Sequence, residues 1–416
     1  MSSQPASRWW SLITLIIAGE SIFFLPFVLT RIFRVTYLDV LGIDNTQLGN
    51  CFAAYGVVAL VSYLLGGPLA DKFSPRYLMT LALFSTGASG FLLAQVPSYS
   101  ILMMLYAFWG LSTILLFWSP LLRATREAGG VGGSNMAFGL LDGGRGLSAA
   151  LIATSAVSIF SALMPDVGEQ VSDAERTAAF AQVVRYFSWF VIGAGMVVFI
   201  TLRPRQKEKT GPQFEYKDLG KVVRIPQVWW QAAIVVCAYS GYRVTDGFPQ
   251  FAQDYLDLTE QAAAAYSSQA LWLRPLAAVG AGVLATMFTT SRMVQWMFVL
   301  MLGGSVMIGT GAVAAGNWVV FGGTLTCVAC GMYALRGLYY AILEEGRIPW
   351  AVTGTAVGLV SVIGYLPDIY MARFMGYFYD TYPGITGHQY TFWMLAGFSA
   401  VGLLATVGFR RTVRAA

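Results

Sequence analysis

Charge is what this chain has least of. Of 416 residues, 11% are Asp, Glu, Lys or Arg and 56% are hydrophobic, whereas an average soluble chain carries about 25% charged residues. That balance excludes a soluble globular domain and points to a polytopic membrane protein. Histidine is represented once, by His388, and cysteine by Cys51, Cys237, Cys327 and Cys330, all inside apolar runs. The cysteines fit packing rather than disulfides. Cys327-x-x-Cys330 lacks the second pair or nearby histidine that a metal or redox site requires, so neither a metal nor a cofactor is expected. The sequence also lacks a nucleotide loop and an in-span catalytic histidine, which argues against a membrane-embedded enzyme. Met1 to Ser7 is short and polar and runs into Arg8-Trp9-Trp10 and a long apolar stretch with no small-residue cleavage site. A retained first span is expected there rather than a cleaved signal peptide.

What is present is a series of long apolar runs. At ~20 residues per spanning helix plus short connections, the length allows about a dozen spans. They are expected at 10–33, 46–66, 77–96, 99–121, 135–161, 183–203, 228–250, 263–289, 294–314, 317–342, 351–377 and 390–409, numbered 1 to 12 below. The expected fold is all-α, with twelve transmembrane helices in two six-helix bundles, 1–203 and 227–416, joined by a polar linker at 204–226. Phe214, Leu219 and Val222 would let a short amphipathic helix in that linker lie on the membrane surface.

Basic residues set the orientation. Arg8, Lys72, Arg76, Arg123, Arg126, seven in the linker region, Arg292, Arg347, Arg410, Arg411 and Arg414 fall on the side of both termini. The opposite loops hold acids such as Asp39, Asp44, Asp166, Glu169, Asp254, Asp257 and Glu260, with Arg176 the basic residue among them. Both termini are therefore expected to be cytoplasmic. The net charge of +5 is a topology signal and does not indicate nucleic-acid binding. Paired tryptophans at span ends, Trp9-Trp10 and Trp229-Trp230, fit interfacial anchors in a lipid bilayer.

One stretch organises the rest. Gly67-Pro68-Leu69-Ala70-Asp71-Lys72-Phe73-Ser74-Pro75-Arg76 lies between spans 2 and 3 and reads as a cytoplasmic hinge. A weaker copy, Gly282-Val283-Leu284-Ala285-Thr286-Met287-Phe288, follows 215 residues later, and Tyr37-Leu38-Asp39 is echoed by Tyr255-Leu256-Asp257. An internal duplication accounts for both echoes. The pattern Gly-x-Leu-Ala-Asp-Lys-x-x-x-Arg is similar to the loop between the second and third helices of the major facilitator superfamily of secondary transporters, with Pro75 where a basic residue is usual. Phe138-Gly139-Leu140-Leu141-Asp142-Gly143-Gly144-Arg145-Gly146 and Gly364-Tyr365-Leu366-Pro367 resemble a bacterial branch near the organophosphate and nitrate/nitrite porters, without the glycine-rich nitrate signature. That resemblance implies a monomer in the bacterial inner membrane, with spans 1, 4, 7 and 10 lining a central cavity. It implies that 2, 5, 8 and 11 form the bundle interface. It also implies a cytoplasmic latch in which Asp71, with Lys72 and Arg76 in the same loop, reaches Arg123 or Arg126 and the start of span 11 near Val352-Thr353. Thr286 cannot carry the corresponding charge, so the latch should be asymmetric.

Charges inside spans are expensive unless they face protein or water. Glu20, Arg31, Arg34, Asp142, Arg145, Arg243, Asp246, Arg274, Arg336, Asp368 and Arg373 are such charges. Asp142 with Arg145, and Arg243 with Asp246, share a helix face three residues apart and can pair locally. Glu20, Arg274 and Arg336 have no opposite charge within a turn. The excess of arginine, with no intramembrane lysine, fits planar recognition of carboxylate, phosphate or sulfonate. Arg274 and Arg145, each about ten residues into its span, should reach the midplane from opposite bundles and clamp one anionic group. Arg243, Tyr242 and Tyr239 are further substrate candidates, and Trp109, Trp118, Tyr333 and Tyr340 lie on cavity-lining spans. Glu20 is the first candidate for a coupling proton, since desolvation favours the neutral carboxyl, and Asp142 is the second. The expected function is alternating-access transport of a small organic anion, coupled to protons or by anion exchange. The alternative is an exporter of amphipathic compounds, which calls for one acid and few arginines.

Overall fold

A backbone in hydrocarbon must satisfy its own N–H and C=O groups, and the described residues of this computed structural model (5–129, 134–164, 172–202, 219–312, 318–349 and 352–415) are helical with no strand. Seven helices are long and apolar enough to cross a membrane, and the bent pair Trp9–Ser21 and Phe24–Ile32 makes an eighth. The other four expected spans coincide with Pro75–Leu93, Pro226–Val244, Glu260–Met287 and Trp318–Leu338. Three of these carry Arg243, Arg274 and Arg336, which lower their mean hydropathy. Large apolar side chains such as Ile200, Leu276, Met287 and Leu404 are among the most exposed in the molecule, as a lipid-facing surface requires and a water-facing one does not.

Buried apolar residues gather in two cores. One runs from Leu15 to Leu202 and recruits Ala264, Leu271 and Ala372, and the other runs from Val222 to Phe409. Between them spans 2 and 11 pack closely. A Cβ on Gly56 would lie 2.8 Å from the backbone of Asp368, so only glycine admits this approach.

Several spans are broken where the sequence suggested continuous helices. Span 1 bends by 41° at a π-helical turn, Phe24–Val28. Pro26 lacks an N–H there, and the Val28 N–H reaches back five residues to the Phe23 carbonyl. Span 4 holds a longer π stretch, Leu111–Trp118, and span 7 tightens to a 3-10 turn at Thr245–Gly247. Span 11 is split into Thr353–Gly364 and Pro367–Thr381. Such irregularities concentrate where backbone serves a site.

The hinge expected at 67–76 is mostly helix, because Asn45–Lys72 runs through Pro68 and the next helix starts at Pro75. Pro75 at the first helical position loses no helical bond there, so Phe73-Ser74 suffices as the link. Of the linker, Leu219–Val222 is a four-residue helix, while Phe214 lies outside the described residues. Span 6 begins earlier than expected, at Asp173, because Ser172 and Glu175 form a reciprocal cap.

Candidate functional site

Between the two cores lies a cavity of about 50 Å³, far below the ~300–1,000 Å³ of an open ligand pocket. It is closed around its own charges. Its wall comes from spans 1, 2, 4, 5, 7, 10 and 11, so the division into lining spans and interface spans does not hold strictly. Span 5 supplies Arg145, span 2 supplies Tyr55 and Tyr63, and span 11 supplies Tyr365 and Asp368.

The centre of the site is Glu20. Sequence alone left it without a partner within a turn, but its carboxylate accepts from Arg274 Nη1 at 2.7 Å and lies 3.1 Å from Arg145 Nε. Arg145 comes from the first half of the chain and Arg274 from the second, and both are brought onto one carboxylate. Arg274 stands behind Glu20, outside the cavity wall. The local Asp142–Arg145 pair is displaced: it spans 4.0 Å, with the Asp142 side chain 41% exposed. A buried carboxylate at 3.1 Å outcompetes a half-solvated one, because attraction grows as water is excluded. Arg145 also donates to the Gly19 carbonyl at 3.0 Å and lies 5.5 Å from the Phe23 and Trp118 rings.

A second cluster closes the end of the cavity away from the termini. Arg31 lies 2.6 Å from Asp246 and donates to the Tyr242 hydroxyl at 2.7 Å. Arg243 is 2.7 Å from Asp246 and 3.5 Å from Asp368, over the faces of Phe27 and Phe52. The local Arg243–Asp246 pairing is thus present, extended by Arg31 and Asp368. The Tyr239 hydroxyl donates to Asp368 at 2.9 Å. Tyr239 and Tyr242 both face the cavity, as does Trp118. Trp109 instead is buried in the first core, where it donates to Ser89 at 2.8 Å, and Tyr340 is bonded to Ser361 at 2.8 Å.

Beyond this cluster the two halves are stitched together at the face opposite the termini. Arg34 donates to Asn45 at 2.9 Å and to Gln250 at 3.2 Å, and Arg176 reaches Glu260 at 3.0 Å. Asp380, at the end of span 11, accepts from the Asn45 and Thr46 backbone N–H groups at 3.2 and 2.7 Å and from the Thr46 hydroxyl at 2.6 Å. It thereby caps the positive N-terminus of span 2 from the other half.

At the termini face the candidate gating residues Arg123, Arg76 and Lys72 make the contacts found for them within the first half. Arg123 donates to the Ala70 carbonyl at 2.6 Å and to Glu127 at 2.9 Å. Arg76 packs over Phe199 at 4.1 Å, and Lys72 lies 5.6 Å from the Phe73 ring. The Asp71 side chain lies outside the described residues. The expected Cys327–Cys330 spacing yields free thiols, and no metal-ligand cluster is found among the described residues.

Arg31, Asp246, Asp368 and Arg336, singled out in the sequence as in-span charges without an assigned role, belong to the site, and the aromatics Phe23, Phe27, Tyr55, Tyr63 and Tyr365 join them without having been selected. Arg31 and Asp246 carried a usable signal, since they stand 215 residues apart, the interval between Gly67 and Gly282 and within three residues of that between Tyr37 and Tyr255.

Two helical halves closing on a charged cavity within a lipid-facing shell define a membrane transporter. The chain belongs to the Major Facilitator Superfamily, whose family model matches residues 10–371, and it is a secondary transporter rather than an enzyme. Among curated relatives it is 26% identical to the inner membrane protein YqcE of Escherichia coli (strain K12), over 98% of this chain and 96% of that one. It is 23% identical to the inner membrane protein YihN of the same organism, over 96% and 94%. Among solved structures it resembles a D-xylose-proton symporter, with TM-score 0.75, 12% identity and coverage of 98% and 97%. A bacterial homologue of the lysosomal transporter Spinster in an inward-facing, unoccupied conformation gives TM-score 0.74, 13% identity and 99% coverage of both chains. These structural likenesses bear on the fold alone.

Proposed function

We propose that the protein moves a small organic anion across a bacterial inner membrane by alternating access of bundles 1–203 and 227–416, with both termini in the cytoplasm and protons as the coupling ion. The observation that carries this reading is the Glu20 carboxylate held between Arg145 and Arg274. A carboxylate already occupies the place where a substrate's acid group would bind, and it joins the two halves. Protonating Glu20 releases both arginines at once, and an incoming anion then takes them in its place. Proton and anion thereby bind together. Asp142, at the half-exposed edge of Arg145, is suited to pass protons between water and Glu20. Arg243, Tyr239 and Tyr242 form the wall against which the rest of the substrate packs, and Asp71, Lys72, Arg76 and Arg123 act at the cytoplasmic gate.

An exporter of amphipathic compounds fits less well, since the cavity wall carries Arg31, Arg145, Arg243 and Arg336, of which Arg336 has no carboxylate within ion-pair distance among the described residues, and leaving such a cation without an anionic ligand is costly. The test is a thermal-shift and binding screen of the purified protein against carboxylates, sugar phosphates, sulfonates and nitrate, followed by Arg274→Lys and Arg274→Ala. An anionic hit should lose about tenfold or more in affinity in both folded variants, because lysine lacks the planar fork. Binding of apolar cations in place of every anion would overturn the reading.

A further inference from the structure

The cavity holds one arginine that its own carboxylates leave unserved. Arg31 and Arg243 are paired with Asp246, and Arg145 and Arg274 with Glu20. Arg336, on span 10, has no carboxylate within ion-pair distance among the described residues, and its Nε and Nη1 are buried without a hydrogen-bond acceptor. Its guanidinium lies 3.9 Å over the Tyr242 ring and 5.8 Å from Tyr239. Stacking on an aromatic face orients the plane of a guanidinium but leaves its in-plane donors to bond something else. A buried, ionised donor without an acceptor is among the most costly arrangements in a folded protein. Arg336 therefore points to a ligand.

The charge count points the same way. Around the cavity five arginines face three buried carboxylates, Glu20, Asp246 and Asp368, and the half-exposed Asp142, 4.0 Å from Arg145. At least one positive charge remains uncompensated. It falls on the Glu20 side, where Arg145, Arg274 and Arg336 have only Glu20 and the half-solvated Asp142 to share. The phenols beside Arg336 add shape more than hydrogen bonding, because the Tyr239 hydroxyl donates to Asp368 and the Tyr242 hydroxyl, which accepts from Arg31, has a single proton of its own to offer. What they present to a ligand is ring surface, which suits a carbon skeleton better than a bare inorganic ion.

We infer that Arg336 is a second anion-binding point and that the transported molecule is a small organic compound with two acidic groups, one on Arg336 and one on Arg145 and Arg274. This rests on the reading of the site as an anion site and adds the number of charges it selects. A two-acid ligand bridges span 10 to the Glu20 cluster and brings the buried charge closest to neutrality. A one-acid ligand of the same skeleton leaves Arg336 orphaned.

The experiment compares matched probes on the purified full chain: butyrate with succinate, and glycerate with 3-phosphoglycerate. The wild-type protein should bind the two-acid member of at least one pair on the order of tenfold more tightly, the increment of one charge-assisted contact. In Arg336→Gln that preference should fall to about one, while the unliganded melting temperature holds or rises, since an unpaired buried charge has been removed. Arg336→Lys, which keeps the charge without the fork, should retain part of the preference and serves in place of the glutamine variant should that one fail to fold. A preference unchanged in Arg336→Gln, or lost equally in Arg274→Lys and kept in both Arg336 variants, overturns the inference. Wild-type binding of anions without any preference for two acids also overturns it and leaves the transporter reading standing. Failure of the wild-type protein to bind any anion defeats both.

Discussion

Arg31 and Asp246 meet at 2.6 Å and stand 215 residues apart, the same interval that separates Gly67 from Gly282. The nearer echo, Tyr37 with Tyr255, stands 218 residues apart, so in the expected duplication the two residues lie within one helical turn of equivalent positions. Residues near equivalent positions meet when both lie near the axis relating the repeats, which accounts for an acid opposite an arginine at the seam. The pair closes the cavity on the side away from the termini, and the Asp380 cap lies beyond it.

Removing Asp246 strips Arg31 of its carboxylate and leaves Arg243 with only the more distant Asp368. Breaking a buried pair from one side costs about 3–5 kcal/mol. Asp246→Ala should therefore lower thermal stability sharply, while the double variant Arg31→Met with Asp246→Leu should recover the part due to Arg31, with Arg243 still left on Asp368 alone. A melting series on the purified proteins checks this, and equal losses in the single and double variants would rule out the pair as the source.

Asp380 accepts hydrogen bonds from the first two residues of span 2. Asp380→Asn keeps the shape but loses the anion that the helix terminus favours, worth about 0.3–1 kcal/mol at an exposed site. The sealed face should open more often. In a background with Cys51, Cys237, Cys327 and Cys330 replaced, a thiol at Val28→Cys, on the cavity wall, should label faster from the face opposite the termini when Asp380→Asn is added. An unchanged labelling rate would show that the cap does not hold the seal.

The loop residues at the termini face should govern the other gate. Arg123 is anchored to the Ala70 carbonyl, one residue before Asp71, so it fixes the end of span 2 that carries that acid in the chain. Asp71→Asn and Arg123→Gln should both fold and both slow transport several-fold, measured as uptake of whichever anion the binding screen identifies. Wild-type rates in both variants, with unaltered thiol accessibility from the termini face, would remove the latch.

Hydropathy runs made the helical architecture legible, because they are summed over many residues and survive local irregularity. The breaks in spans 1 and 4 were not legible. A proline such as Pro26 allows a kink, a π turn or a straight helix, and the choice depends on what packs against the freed carbonyls. The local pairing of Arg145 with Asp142 is present at 4.0 Å, but its main partner was not legible, for a related reason. The three-residue spacing to Asp142 is visible in the chain, whereas Glu20 is 125 positions away and wins because it is buried. Arg274 and Arg145 were expected at one depth from opposite bundles, and they do reach one carboxylate. What depth could not reveal is that the carboxylate belongs to the protein. The isolation of Arg336 has the same origin, since an arginine without a local acid looks alike in sequence whether or not another helix supplies one.

Proton uptake on anion binding is the signature of an anion that displaces the Glu20 carboxylate. The purified protein, in weakly buffered detergent solution with a pH indicator, is mixed with a saturating amount of an anion that the screen identifies. If the anion displaces the Glu20 carboxylate from Arg145 and Arg274, the wild-type protein should take up close to one proton per anion bound. Glu20→Gln should bind the anion at least as well and take up none. Anion binding by the wild type without proton uptake, or the same uptake in Glu20→Gln, would contradict the account.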